Sequence, residues 1–230
     1  TLFGGGGKVV MDFSNLLTKR GHDVGVIAQK VNTDKYDFHR DVRLMEIGGP
    51  LPSKPFYWLG FHWIKWRYLK ILNQLRPDLL ISIHFPSNYI CSKVDYREDV
   101  KHVYYCLEPF RFIHDERFIS KAPLIHRVIY YVLRLLFKRY DLRGTLDADK
   151  ILSISKYTKS TIKRTYGREA TVHYLGIQIN YANTSMKKPN IRKKLSLDEA
   201  VPIIFALGLT HYMKGAKELI RAFKLINEEI

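Results

Sequence analysis

Four consecutive glycines, Gly4 to Gly7, stand immediately before Lys8 and an apolar run. A stretch without side chains can approach a ligand closely, and glycine tolerates the tight turns that expose backbone N–H groups to an anion. A frayed terminus, a plain turn and a ligand-facing loop all satisfy this composition. The spacing excludes two common phosphate fingerprints. G-x-x-x-x-G-K-[ST] fails because Lys8 is followed by Val9, and no G-x-G-x-x-G with a suitable later acid follows. His84 closes the run "RPDLLISIH", placed either to line a cleft or to pack beneath one. Ser155 precedes "KYTKSTIKRTYG", where its hydroxyl reads as a helix N-cap rather than a nucleophile. Cys91 and Cys106 have no CxxC neighbours, so neither a disulfide framework nor a cysteine metal site is expected. The chain is also read as free of an Asp-x-Asp metal site.

These residues need elements to hold them. With 230 residues, 46% of them hydrophobic, the chain has material for one large domain or one domain and part of another. The stripe Val9, Phe13, Leu16 and Leu17 predicts an amphipathic helix after the glycines, stopped by Gly21. Strands are expected at 23–29, 41–47, 76–84, 101–106, 149–155 and 170–176, with 76–84 buried on both faces. Helices are expected at 56–75, 123–142 and 156–167. Alternating strands and helices predict an α/β fold, a Rossmann-like, doubly wound and mostly parallel sheet. The strands at 24–28, 79–83, 102–106 and 150–154 should be central. Residues 178–200 turn polar and read as a connection, after which "VPIIFALG" (201–208) starts a fresh strand and a helix follows from Lys214. The expected domains are therefore 1–180, lacking a first strand that would lie upstream of Thr1, a connection at 181–200, and the truncated beginning of a second α/β domain at 201–230.

Charge narrows the partners. Thirty-eight Lys and Arg against 22 Asp and Glu leave +16, with a pI near 9.7. That field suits phosphate-bearing substrates, an anionic membrane surface or nucleic acid. No zinc finger, RRM signature or compact basic tract supports the last. Two cysteines without a disulfide framework make a reduced, cytoplasmic setting the expectation; no run reaches the length of a spanning helix, and no signal peptide is expected. Arg127, Arg134, Lys138 and Arg139 interleave with Tyr130, Tyr131 and Phe137, and Trp58, Trp63 and Trp66 lie beside Lys65, Arg67 and Lys70. Basic residues among interfacial aromatics fit a peripheral position on an anionic, cytosolic membrane face.

Five segments, in order, carry a resemblance. "GGGGKVVMDFSNLLTKRGHDVGVIA" resembles the opening of retaining GT-B glycosyltransferases of the group 1 (family 4) type, with Gly21, His22, Asp23 and Val24 matching its Gly-His-x-Val strand. "RPDLLISIH" looks like that family's Pro-Asp-(apolar)-His strand, and "YYCLEPFRFIHD" is similar to its Tyr-x-His-x-Pro segment. "ILSISKYTKSTIKRTYGREATVHYLGI" resembles the helix and strand before the hinge, and "FALGLTHYMKGAKELIRAF" the start of the donor domain.

The resemblance implies a hexosyltransferase-type enzyme. It would move a sugar from a nucleotide diphosphate sugar to a glycan, lipid-linked or envelope acceptor with retention, without a cofactor or metal. Gly4, Gly5, Gly6 and Gly7 would form the loop facing donor diphosphate and acceptor. Lys214 would hold the diphosphate as a point charge. Glu108, in a turn facing the cleft, would touch the acceptor or cap the turn; it and His84 are the catalytic candidates. Three residues depart from the family, and two of them, Leu107 and Leu209, support an alternative, a catalytically impaired GT-B-like binding subunit. Leu107 stands where the family has histidine, Leu209 where it has a phosphate-binding arginine, and Leu175-Gly176 where it has Pro-Gly. The 230-residue chain by itself is expected to be inactive, because the chemistry of this family sits between two complete domains.

Overall fold

The computed structural model describes residues 5–49, 57–176, 191–198, 200–206 and 215–229. The chain divides into two compact units, Thr1–Leu175 and Gly176–Ile230.

The first unit opens with helix α1 (Gly5–Lys19), which buries Gly7, Val9 and Ser14 and ends with Lys19 in its last turn. Gly21 stops it at φ +88°, a left-handed conformation that costs glycine little. Strands β1 (Gly25–Ala28) and β2 (Arg43–Glu46) follow and pair in parallel, Gly25 opposite Arg43 and Ala28 opposite Glu46. Helix α2 (Phe61–Leu75) leads to β3 (Leu79–Ile83), and α3 (Ser87–Cys91) to β4 (Lys101–Cys106). Helices α4 (Arg111–His114), α5 (Glu116–Lys121) and α6 (Leu124–Leu146) intervene before β5 (Lys150–Ser153). Helix α7 (Lys156–Tyr166) then connects to β6 (Thr171–Val172).

Strands β3 to β6 form one parallel sheet in sequence order. Parallel neighbours need crossovers, and the helices between them supply these. The α/β architecture and parallel pairing are as the sequence predicts. Two details differ. Residues 24–28 were expected in the centre of a single sheet, but among the described residues β1 pairs with β2 alone. Ile27 still reaches the cluster of Leu72, Leu80 and Ile90 through side-chain packing. The second difference concerns β3, expected to be buried on both faces. It alternates instead, with Leu80 and Ser82 buried and Leu79 exposed.

The core lies on both faces of the sheet. Tyr104, Cys106, Ile151, Ile162 and Tyr166 pack under α7. Phe61, Phe85, Tyr89, Ile113, Leu133 and Phe137 join α2, α3, α4 and α6 in an aromatic cluster, with Trp58 and Phe85 stacked at 5.9 Å. Phe137 and Trp58, read from the sequence as interfacial aromatics, therefore belong to this packing. Trp63 covers Gly49, where a β-carbon would come within 2.5 Å of its ring.

A buried polar knot ties the helices behind the sheet. Asp141 of α6 is fully buried and accepts from Asn88 Nδ2 at 2.9 Å and the Tyr166 hydroxyl at 2.8 Å. His114 Nε2 lies 2.7 Å from Oδ2 of Asp141, the oxygen that also accepts from Tyr166. Four elements meet at this one carboxyl group, which is how a buried acid becomes tolerable.

In the second unit α8 (Ile191–Lys194) and α9 (Ala216–Glu229) are helical. Residues 201–206, expected as part of a strand, form no ladder among the described residues. Pro202, Ile204, Leu219, Ile220 and Phe223 line an apolar groove of about 220 Å³. Among the described residues no helix is long and apolar enough to cross a membrane.

Candidate functional site

In open parallel sheets ligands bind beyond the carboxyl ends of the strands, where helices begin and backbone N–H groups are free. Three segments of the chain converge there. The first is the start of α1. Gly5, Gly6 and Gly7, expected as a loop, are its first turn. The first four N–H groups of a helix have no partner within it, and the glycines of this turn add no side chains of their own over these donors. Lys8 does not fold back over them, because its ammonium pairs with Asp12 at 3.0 Å one turn along the helix.

The second segment leaves β4. Cys106 is buried, and Leu107, Glu108 and Pro109 turn the chain into α4. Leu107 lies against α1, with its Cδ1 3.6 Å from where a β-carbon on Gly6 would stand. Glu108 is half exposed, and its carboxylate is held by the Arg111 guanidinium three residues on. That guanidinium also lies 5.6 Å over the Phe118 ring.

His84 begins the third segment, just past β3. Its backbone is left-handed at φ +61°, an uncommon conformation for a residue with a side chain. Its carbonyl accepts from the Ser87 N–H at 3.0 Å and the Ser87 hydroxyl at 2.6 Å. Burial lowers the pKa of the ring below the usual histidine value, while the Glu108 and Asp141 charges and the Glu108 backbone act in the opposite sense. Largely enclosed, His84 thus borders the Glu108 turn in a setting that favours the neutral ring.

Other residues frame these three. Ser155 caps α7, its hydroxyl accepting from the Thr158 N–H at 3.0 Å. The Tyr105 hydroxyl lies 3.0 Å from His173 Nδ1, and Phe13 of α1 packs against both rings. The structure brings together Gly6, Leu107, Glu108 and His84. Gly4, Leu209 and Lys214 lie outside the described residues.

Sequence reasoning missed Arg111, whose spacing from Glu108 was the available signal, and Asp141, the one acid in an otherwise basic helix. It also missed an Asp-x-Asp sequence, Asp147-Ala148-Asp149. This sits at the amino end of β5, away from the site. Asp149 accepts from the His102 N–H at 2.7 Å and pairs with Arg97 at 3.0 Å, and these partners hold its pKa low. Among the described residues no group of three or more His, Cys, Asp or Glu could hold a metal ion.

Comparison with known proteins gives this geometry its context. The family model of Glycosyltransferase Family 4 matches residues 3–181, most of the chain. The chain belongs to Glycosyltransferase Family 4. Among solved structures it is similar to a glycosyltransferase from Rickettsia africae ESF-5, with a TM-score of 0.58 and 17% identity over 98% of this chain. It spans 55% of the length of that structure, and at this identity the likeness speaks for the fold alone. No curated protein matches the chain. In this family-4 chain the α1 turn, the β4–α4 turn and His84 all lie at the carboxyl end of the sheet. Their chemistry is that of anion binding and hydrogen bonding: helix N–H groups, one carboxylate and one enclosed imidazole.

Proposed function

We propose that this protein takes part in glycosyl transfer from a nucleotide diphosphate sugar to a carbohydrate or lipid-linked acceptor, with retention, on the cytosolic side. Residues 1–180 form the acceptor-side domain of a GT-B arrangement in this reading, and residues from 201 onward begin the donor-side domain. The single observation that carries it is the approach of the glycine first turn of α1 to the Leu107–Glu108 turn, in a chain of this family. The bare N–H groups at the helix start face developing negative charge. Lys214 adds a fixed cation for the departing diphosphate.

In the transfer step the bond between the anomeric carbon and the diphosphate oxygen breaks, and its electron pair leaves with the diphosphate. The acceptor oxygen bonds to the anomeric carbon on the same face, and its proton passes to the departing phosphate oxygen. No metal is needed where cations neutralise the leaving group. Glu108 contacts an acceptor hydroxyl, and neutral His84 hydrogen-bonds beside it.

The test is release of nucleoside diphosphate from a panel of nucleotide sugars by the protein carrying a complete donor-side domain, with the product anomer read by NMR; residues 1–230 alone should release none. Lys214→Ala should lower turnover by about 100-fold, about 2.7 kcal/mol of transition-state stabilisation. No release from any donor by the protein with its complete donor-side domain would overturn the reading. Leu107 favours the second reading, a binding subunit without turnover, since an aliphatic side chain closes against Gly6 where the family has histidine. Binding of a nucleotide sugar without release is the result that would establish it.

A further inference from the structure

Helix α6 is apolar on two sides. Its inner side places Leu133 and Phe137 in the aromatic core. Its outer side exposes Leu124, Ile125, Val128, Ile129, Val132, Leu135 and Leu136, with Leu135 82% and Leu124 74% accessible. At 3.6 residues per turn the outward side chains, with Tyr131, cover an arc of about 160° opposite the buried face. Soluble proteins rarely leave so continuous an apolar patch uncovered, and a helix apolar all round expects a nonaqueous environment on both sides.

Charge says which environment. Helix α6 carries Arg127, Arg134, Lys138, Arg139 and Arg143, and its single acid, Asp141, is fully buried. Arg127 and Arg134 line one flank, held by the Ser120 carbonyl and the Glu116 carboxylate of α5. Lys138 and Arg139 are exposed at the end of the stripe, and Arg117 and Lys121 are exposed on α5. Apart from the paired Glu116, this rim is basic. An aliphatic stripe bordered by cations matches the acyl boundary and headgroups of an anionic lipid leaflet. It does not match itself, because a second copy would bring like charges together.

We propose that the outer face of α6 is a monotopic membrane-docking surface. The helix lies flat on an anionic leaflet, Leu124, Ile125, Val128, Val132 and Leu135 entering the acyl boundary and Lys138 and Arg139 meeting the headgroups. Of the aromatics the sequence offered as anchors on α6, Phe137 is buried and Tyr130 packs on Phe112 and Phe118, while Tyr131 stays exposed. The aliphatic residues, joined by Tyr131, make up the outer face. This docking is independent of the glycosyl-transfer reading, since neither its residues nor its readout involve a donor.

Flotation of the full chain with phosphatidylcholine vesicles of rising phosphatidylglycerol content tests it, at low and high salt, beside sedimentation velocity without lipid. Binding should rise with phosphatidylglycerol and weaken with salt. Val128→Glu combined with Leu135→Glu should lower the bound fraction at least tenfold with the thermal midpoint unchanged, and Lys138→Gln with Arg139→Gln should remove most of the salt dependence. Absence of binding at high phosphatidylglycerol and low salt overturns the proposal. So does binding untouched by the paired glutamates, or a lipid-free dimer that those glutamates disperse.

Discussion

Leu107 of the β4–α4 turn stands over Gly6 of α1, its Cδ1 3.6 Å from the place a β-carbon would occupy. That distance is ordinary van der Waals contact, so glycine is not demanded there by space. Gly6→Ala should therefore stabilise the fold by about 0.5–1 kcal/mol, the conformational advantage of alanine in a helix. The added methyl nevertheless stands at the opening that the proposed substrates use. A raised thermal midpoint with kcat/KM lowered at least tenfold would separate a glycine kept for approach from one kept for folding. Unchanged transfer would remove the first turn of α1 from the site.

Glu108 and Arg111 form a half-exposed ion pair, an arrangement worth at most about 1 kcal/mol. Glu108→Gln should then leave the urea midpoint nearly unchanged while lowering kcat at least tenfold. Arg111→Gln, which frees the carboxylate without removing it, should alter KM more than kcat. Full activity in Glu108→Gln would reduce the residue to a clasp for its turn.

His102 sets a pH dependence of stability. Burial, then the Arg97 charge, lowers its pKa to about 4, with Asp149 and Asp147 opposing. Its Nε2 contacts the Ser82 hydroxyl at 2.7 Å and its buried Nδ1 has no partner, so the folded ring resists a proton. The unfolded ring takes one near pH 6.5. Between about pH 6.5 and 4 the unfolded chain binds more protons, and stability falls as pH falls through that window. The full loss is about 3 kcal/mol, from roughly 2.5 units at 1.36 kcal/mol each. Burial of His84 acts in the same sense. Urea midpoints at pH 7 and pH 4.5 should differ accordingly in the wild type, and the difference should shrink in His102→Gln.

How much of this was legible in the sequence depended on whether the signal was local. Ser155 and Gly167 mark the ends of α7 by capping chemistry that acts over four residues, and both act as the pattern implies. The run at 101–106 coincides with β4 because its apolar residues answer to the two sheet neighbours. Pairing is not local, so nothing in residues 24–28 foretold a separate two-stranded sheet. The period of α6 was plain, but with two apolar sides it could not show which one faces the core. Only the position of Phe137 against Phe61 and Trp58 decides that. The knot at Asp141 was invisible because its partners Asn88, His114 and Tyr166 lie 25 to 53 residues away. Gly5, Gly6 and Gly7 read as a loop in the sequence yet open α1, since propensity disfavours them in helices and packing of Gly7 and Val9 outweighs it.

Gly144 is where α6 comes closest to α3. A β-carbon there would meet the Tyr89 nitrogen at 2.4 Å, the Tyr89 Cα at 2.5 Å and the Asn88 carbonyl carbon at 2.7 Å. All three are backbone atoms, so no rotamer change can relieve the clash and one helix must move. The movement would also disturb Asn88, whose Nδ2 donates to Asp141 Oδ1 at 2.9 Å and contacts Thr145 Oγ1 at 3.1 Å. Alanine returns at most about 1 kcal/mol through its better helix propensity. Overpacking of a close helix contact costs about 3 kcal/mol, so the clash wins. Gly144→Ala should lower the thermal midpoint by roughly 5–10 °C in a chain of this size. Gly6→Ala, the same substitution in the same fold, should raise it. A Gly144→Ala variant as stable as wild type would mean that α3 and α6 are not in contact at this point.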